Sequence, residues 1–323
     1  MTAATAIPIP GVPSLNAAFN PGLLFGLAAV AMWASYLAYA RAGVNAGLEP
    51  QDFVFLRYAT AGAIMAPWLL RHQPMTLAGV GWRRGAVLAL LAGPVFIFLG
   101  VGGYLFAPLS HGAVVQPATV TLASMAIAWA FLGERMPGGR LAGVGVIIAG
   151  LVLIATGKSG AAGEGAWIGD LLFMGAGLFW AVFTVLLKRW GVGGIGATAI
   201  VSVLSAIVVV PAFMIFGTFE RLAALDLATL TTQIVVQGVF SGVIAVIAFG
   251  KAVEHLGASK AALFPALVPA AALIAGMPIT GEMPSVAEWA GAALASLGLA
   301  VAMGVVRLPK PRPASARDPH STR

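Results

Sequence analysis

Apolar residues run along this chain in ten long blocks, at about 22–40, 51–70, 85–105, 112–132, 140–157, 168–187, 196–217, 231–252, 260–279 and 286–306. Short polar or glycine-bearing breaks separate them. Blocks of about 17–25 apolar residues match a helix crossing a ~30 Å hydrocarbon layer. Barrel strands would be about ten residues long and would alternate apolar with polar, which these blocks do not. The breaks are too short for a crossover, so sequential helices are antiparallel neighbours. Ser285 followed by Glu288 reads as a capping box that opens the last helix.

Composition agrees with a membrane solvent. Of 323 residues, 60% are hydrophobic and only 9% charged, and the mean hydropathy is +0.96. A soluble domain carries about a quarter charged residues, and this chain has too few to coat a globule. Gly 41 and Pro 20 fit membrane helices, where glycine allows close packing and neighbours re-satisfy a proline-broken backbone. There is no Cys, which removes disulfides, thiolate metal sites and Cys nucleophiles. The first 22 residues hold no Lys or Arg, unlike a signal peptide with a basic n-region, so the first block is expected to remain as a span.

Charge orients the blocks. With both termini cytoplasmic, the inner side receives Arg71, Arg83, Arg84, Arg135, Arg140, Lys188, Arg189, Lys251, Lys260, Arg307, Lys310, Arg312, Arg317 and Arg323. The outer side receives only Arg41, Lys158 and Arg221. That asymmetry is a positive-inside pattern. It accounts for the net charge of +7 through anionic inner-leaflet lipids, without nucleic acid. The expected location is the inner (cytoplasmic) membrane, multi-pass.

A repeat emerges on shifting the chain by 148 positions. Gly133 and Glu134 then fall on Gly281 and Glu282, Pro117 on Pro265, and Ala142, Gly143 and Gly150 on Ala290, Gly291 and Gly298. Nearer the starts the shift is 147, with Trp33 on Trp180 and Arg41 on Lys188. Five blocks per copy is odd, so the second copy crosses the membrane in the opposite sense, a recurring plan of secondary transporters. The expected division is an N-terminal tail (1–21), a first repeat (22–157), a Gly-rich linker (158–167), a second repeat (168–306) and a basic, disordered tail (307–323). The expected fold is therefore an all-α membrane protein, with ten transmembrane helices as two inverted five-helix repeats.

Two passages carry a family resemblance. "LSHGAVVQPATVTLASMAIAWAFLGERMPGGRLAGVGVIIAGLVL" resembles the closing part of an EamA repeat, and "HLGASKAALFPALVPAAALIAGMPITGEMPSVAEWAGAALASLGLAVA" is similar to the same part of a second one. The chain resembles the drug/metabolite transporter superfamily over about residues 22–306. The resemblance implies ten helices, both termini inside and a central cavity between repeats. It also implies transport, often export, of small metabolites such as amino acids. Thr121 departs from the proline common at that point, where the second copy has Pro269, and Gln116 stands opposite Phe264, so the cavity is expected to be asymmetric there.

Candidate chemistry is sparse. Arg57 is the only basic residue well inside a block, where a charge costs roughly 3 kcal/mol or more. Either it binds a substrate carboxylate in the two-toothed way of a guanidinium, or it snorkels outward or pairs with Asp52 or Glu49. Trp33, Tyr36 and Tyr39 share a face of the first helix. Trp33 and Tyr36, with Trp180, Gln116, Thr121, Gln237 and Phe264, are expected cavity residues, although polar groups such as Gln116, Thr119, Thr121, Gln237 and Ser241 equally serve as bridges between helices. Pro117, Pro265 and Pro269 are expected to kink helices and free carbonyls. Glu134 and Glu282 are expected to sit against a helix N-terminus, where the dipole favours an anion, in a structural or gating role.

All eleven acids fall in loops, tails or helix ends, so a midplane carboxylate relay is unsupported. The four histidines show no metal-ligand spacing, and no nucleotide-binding or hydrolase motif is present. No catalytic residue, metal or cofactor is expected. The expected activity is secondary transport of a small organic solute, outward, by alternating access. An importer is the nearest alternative, and a polytopic membrane enzyme or a non-transporting scaffold the alternatives from other classes. The expected partners are the solute and membrane lipids, with the oligomeric state open and a monomer included.

Overall fold

The computed structural model describes residues 20–132, 138–156, 165–256, 261 and 263–303. Within these, all regular structure is helical. The chain runs through α1 (Pro21–Asn45), α2 (Pro50–Arg71), α3 (Trp82–Ala92), α4 (Pro94–Gly102), α5 (Leu109–Leu132), α6 (Gly138–Thr156), α7 (Ala166–Trp190) and α8 (Gly194–Phe216). It continues through α9 (Phe219–Ala224), α10 (Leu227–Gln233), a π-helical stretch (Ile234–Ile244), α11 (Ala245–Leu256), α12 (Leu263–Thr280) and α13 (Val286–Ala302). Eight helical segments are long and apolar enough to cross a membrane, and Phe264–Thr280 and Val286–Ala302 are shorter apolar helices. Together they stand at the ten expected spans. Helix α7 begins at Ala166, inside the stretch expected to be linker, whose residues 158–164 lie outside the described residues, as do Glu134 and the C-terminal tail.

Local chemistry sets the helix ends. The Asn20 side chain accepts the Gly22 N–H at 3.0 Å, and Pro21 supplies a first position that needs no donor. At α13 the Ser285–Glu288 capping box forms as the spacing predicts. Gly281, at φ +71°, closes α12 in the left-handed region that a side chain would resist. Large apolar side chains such as Leu23, Val152, Ile207 and Ile274 face outward, which suits lipid.

The helices pack about a pseudo-twofold axis. Helix α1 packs on α12 as α5 packs on α7, while α2 on α8 and α6 on α13 are self-equivalent pairs. The α6–α13 seam shows the symmetry atom by atom. A Cβ on Gly150 would lie 2.7 Å from the Gly291 carbonyl oxygen, and one on Gly298 would lie 2.9 Å from the Gly143 oxygen. Under the 148-residue shift, each of these contacts maps onto the other. Small residues here let two backbones touch, and that contact replaces the hydrophobic drive lost in lipid.

Two spans are not continuous helices. The third breaks at Gly93–Pro94, where a Cβ on Gly93 would come within 1.9 Å of the Ala89 oxygen and Pro94 lacks an N–H. The Tyr58 hydroxyl donates to the Ala92 carbonyl at 2.9 Å, satisfying an acceptor the break releases. The eighth span widens into the π-helical stretch. Shifted by 148, Gly93 falls on Ser241, within that stretch, so both halves are irregular at the same depth.

Candidate substrate site

Arg57 lies about two turns into α2 and points at the π-helical stretch. Its Nη1 donates to Ser241 Oγ at 3.0 Å and to the Gln237 carbonyl at 3.3 Å. Its guanidinium carbon stands 5.4 Å from the centroid of the Tyr36 ring, a cation–π distance. Among the described residues no carboxylate pairs with it. Asp52 and Glu49 instead hold Arg221. Its Nε is 2.9 Å and its Nη2 3.2 Å from the Asp52 oxygens, and Glu49 is 3.4 Å away. Those Asp52 hydrogen bonds raise the Arg221 pKa above its ordinary value.

Pseudo-symmetry gives Arg57 a counterpart. The same shift places it on Ser205, and Ser205 Oγ lies 2.7 Å from where a Cβ on Gly93 would be. Arg57 against Ser241 in one half thus corresponds to Ser205 against Gly93 in the other. Ser205 Oγ is buried without a hydrogen-bond partner. Arg57 of α2 thus meets the π-helical stretch of the second repeat and Ser205 of α8 meets the Gly93 break of the first, one contact contributing a cation and the other a neutral hydroxyl.

The other expected residues are distributed around this point. Gln237 is buried, donates to Gln233 Oε1 at 3.2 Å and leaves its own Oε1 unpartnered. Gln233 in turn donates to the Tyr39 carbonyl at 2.8 Å. Trp33 packs on Phe249, ring centroids 5.4 Å apart, and Trp180 packs between Phe96 at 4.9 Å and Phe183 at 5.1 Å. Gln116 faces Gly100 of α4, Thr121 is buried in α5, and Phe264 closes over Gly26. Pro117 and Pro269 lie inside α5 and α12, with Pro265 near the start of α12. Arg57 therefore reaches both the Tyr36 ring and the Gln237 backbone carbonyl, and Trp33, Trp180 and Phe264 belong to the same apolar core as Tyr36. A groove of about 750 Å³ opens between α1 and the eighth span, lined by Ser35, Tyr39, Thr231, Thr232, Val236 and Phe240 among others. Of the three aromatic residues that share a face of α1, Tyr39 lines it, and Trp33, Tyr36 and the other expected cavity residues do not.

The Arg41 end of the bundle holds a second polar cluster. Glu282 accepts from Arg41 Nε and, at 2.9 Å, from the Leu109 N–H that opens α5, while Arg41 Nη1 donates to the Tyr104 carbonyl. Ser110 donates to the fully buried Glu288. His111 Nδ1 meets Asp170 Oδ1 at 2.8 Å. The pairing of His111 with Asp170 has no signal in sequence spacing, because it joins helices of different repeats. The Gly93–Pro94 break had one, a Gly-Pro dipeptide inside an apolar block.

Inverted halves with interrupted spans at one depth are the build of membrane transporters. The EamA-like transporter family model matches residues 20–156 and 167–304, and the chain belongs to that family. It is 24% identical over 270 residues to the "Uncharacterized transporter YyaM" of Bacillus subtilis (strain 168), covering 81% of this chain and 87% of that one. A protein of known crystal structure shares the fold with TM-score 0.59 at 20% identity, over 88% of this chain and 96% of the other.

Proposed function

We propose that this membrane transporter is a secondary transporter that exports a small organic solute bearing an anionic group, by alternating access between its two repeats. The carrying observation is Arg57, a guanidinium between the repeats whose partners are a hydroxyl, a carbonyl and an aromatic ring. A half-buried cation within an apolar span, with only neutral partners, favours an anion. A solute carboxylate would complete it, with the Tyr36 ring and the Ser241 hydroxyl beside it. The Arg41–Glu282 pair joins the two repeats at one end, and the shift places Lys188 and Glu134 at the equivalent positions of the other. Such pairs suit gates that exchange roles. The Lys/Arg asymmetry supports an inner-membrane location with both termini cytoplasmic and the Arg41 end outside.

Untargeted metabolite profiling of the medium around expressing cells tests this, with Arg57→Ala and Arg57→Lys at matched membrane abundance. A carboxylate-bearing metabolite should accumulate outside with the wild type, fall to background with Arg57→Ala and recover partly with Arg57→Lys. Equal export by all three would remove Arg57 from the site, and an unchanged medium would remove export.

A further inference from the structure

We propose that His111 and Asp170 form a proton-binding site that couples closure of the Arg41 end to protonation; this rests on the transporter reading. His111 sits in the first turn of α5, in the first repeat, and is 3% exposed. Its Nδ1 contacts Asp170 Oδ1 at 2.8 Å, and its Nε2 is buried with no hydrogen-bond partner. Asp170 lies in the second turn of α7, in the second repeat, and among the described residues His111 is its one partner.

Nε2 is the ring position left for a second proton, and no protein group faces it at hydrogen-bond distance. A second proton on the ring turns the hydrogen bond from Nδ1 to the Asp170 carboxylate into an ion pair. The surroundings act on that proton from several elements. Glu282 and Arg41 offset one another, and Glu288 is held by Ser110 and Ser285. The Tyr104 ring lies against Gly112 and Phe173. The α5 dipole opposes a cation at its N-terminus, so the Asp170 carboxylate, uncompensated by any other cation, supplies the attraction.

Because the pair spans the α5–α7 interface, its strength adds to the closed state. Closing the Arg41 end takes up one proton from the adjacent aqueous phase, and opening, which separates the two side chains, returns it. A proton taken up on closing favours the closed state as the pH falls and the open state as it rises. Proton activity outside the Arg41 end thereby biases alternation.

The absence of Cys permits a background-free test on the full chain in nanodiscs. Val114→Cys places a thiol one turn from His111 at a fully buried position, and Met75→Cys, 82% exposed at the other end, normalises for thiol ionisation. The normalised labelling of Val114→Cys should rise several-fold from pH 5.5 to pH 8, and should be flat in His111→Gln and in Asp170→Asn. Imidazole ¹⁵N spectra, with His111→Gln as the assignment control, should show His111 gaining its proton over the same range. A flat wild-type profile, a rise that persists in both variants, or an imidazole neutral throughout would each overturn the site. These two readouts decide the proton site whatever the metabolite profile shows, so its failure is distinguishable from failure of the transport reading.

Discussion

Asp52 has no exposed side-chain surface, yet it accepts both a two-pronged contact from Arg221 and the Glu49 N–H at 2.8 Å. Removing a carboxylate from such a pair leaves a half-buried guanidinium without its main partner. Asp52→Ala should cost about 3 kcal/mol, read as a fall of several degrees in the unfolding temperature in detergent. Glu49→Ala, whose carboxylate is 48% exposed, should stay within about 0.5 kcal/mol. At this scale sequence reading went only part of the way. Arg57 stood out because a lone cation in an apolar block is costly wherever the block packs. Its partners did not stand out, since Asp52 finds Arg221 169 residues away and Arg57 finds Ser241 184 away.

The helices themselves were legible because their solvent imposes length. A span must cross a fixed apolar thickness with every backbone group satisfied internally, so the blocks and the observed helices agree to within a few residues. Caps were legible where a short motif closes on itself, as at Ser285 and Glu288. The π-helical stretch was not, because nothing in the local pattern separates it from α-helix. Glycines divide by context rather than by sequence. Gly145 and Gly150 lie on the same helix, yet a Cβ on the first meets open space and one on the second meets the α13 backbone. Gly150→Leu should therefore destabilise by about 3 kcal/mol or prevent assembly, while Gly145→Leu should change stability by less than about 0.5 kcal/mol. Size-exclusion monodispersity and thermal unfolding would separate them, and equal behaviour would contradict the α6–α13 seam.

For the whole molecule the inverted repeat makes a directional prediction. If the basic end is cytoplasmic, a membrane-impermeant maleimide added to intact cells should modify Ala46→Cys, an exposed position between α1 and α2. It should spare Met75→Cys until the membrane is permeabilised. The reverse pattern would invert the assignment and with it the side from which His111 takes its proton. The pseudo-twofold also carries an asymmetry of consequence, since Arg57 corresponds to Ser205. A symmetric scaffold can exchange the roles of its halves, and Arg57 gives one half a charge that Ser205 does not give the other.

The sequence by itself determined the class, the span count and the repeat. A ~30 Å apolar solvent leaves few ways to satisfy a backbone, and a duplicated five-span unit preserves its glycine, proline and tryptophan spacing. Tertiary structure decided which side chains meet. The Ser205 contact at Gly93, the Arg57 contact with the π-helical stretch and the His111–Asp170 contact all depend on helices of opposite repeats coming side by side. Periodicity records which face of a helix is apolar. It does not record which neighbour that face meets, and the chemistry of this protein lies in those meetings.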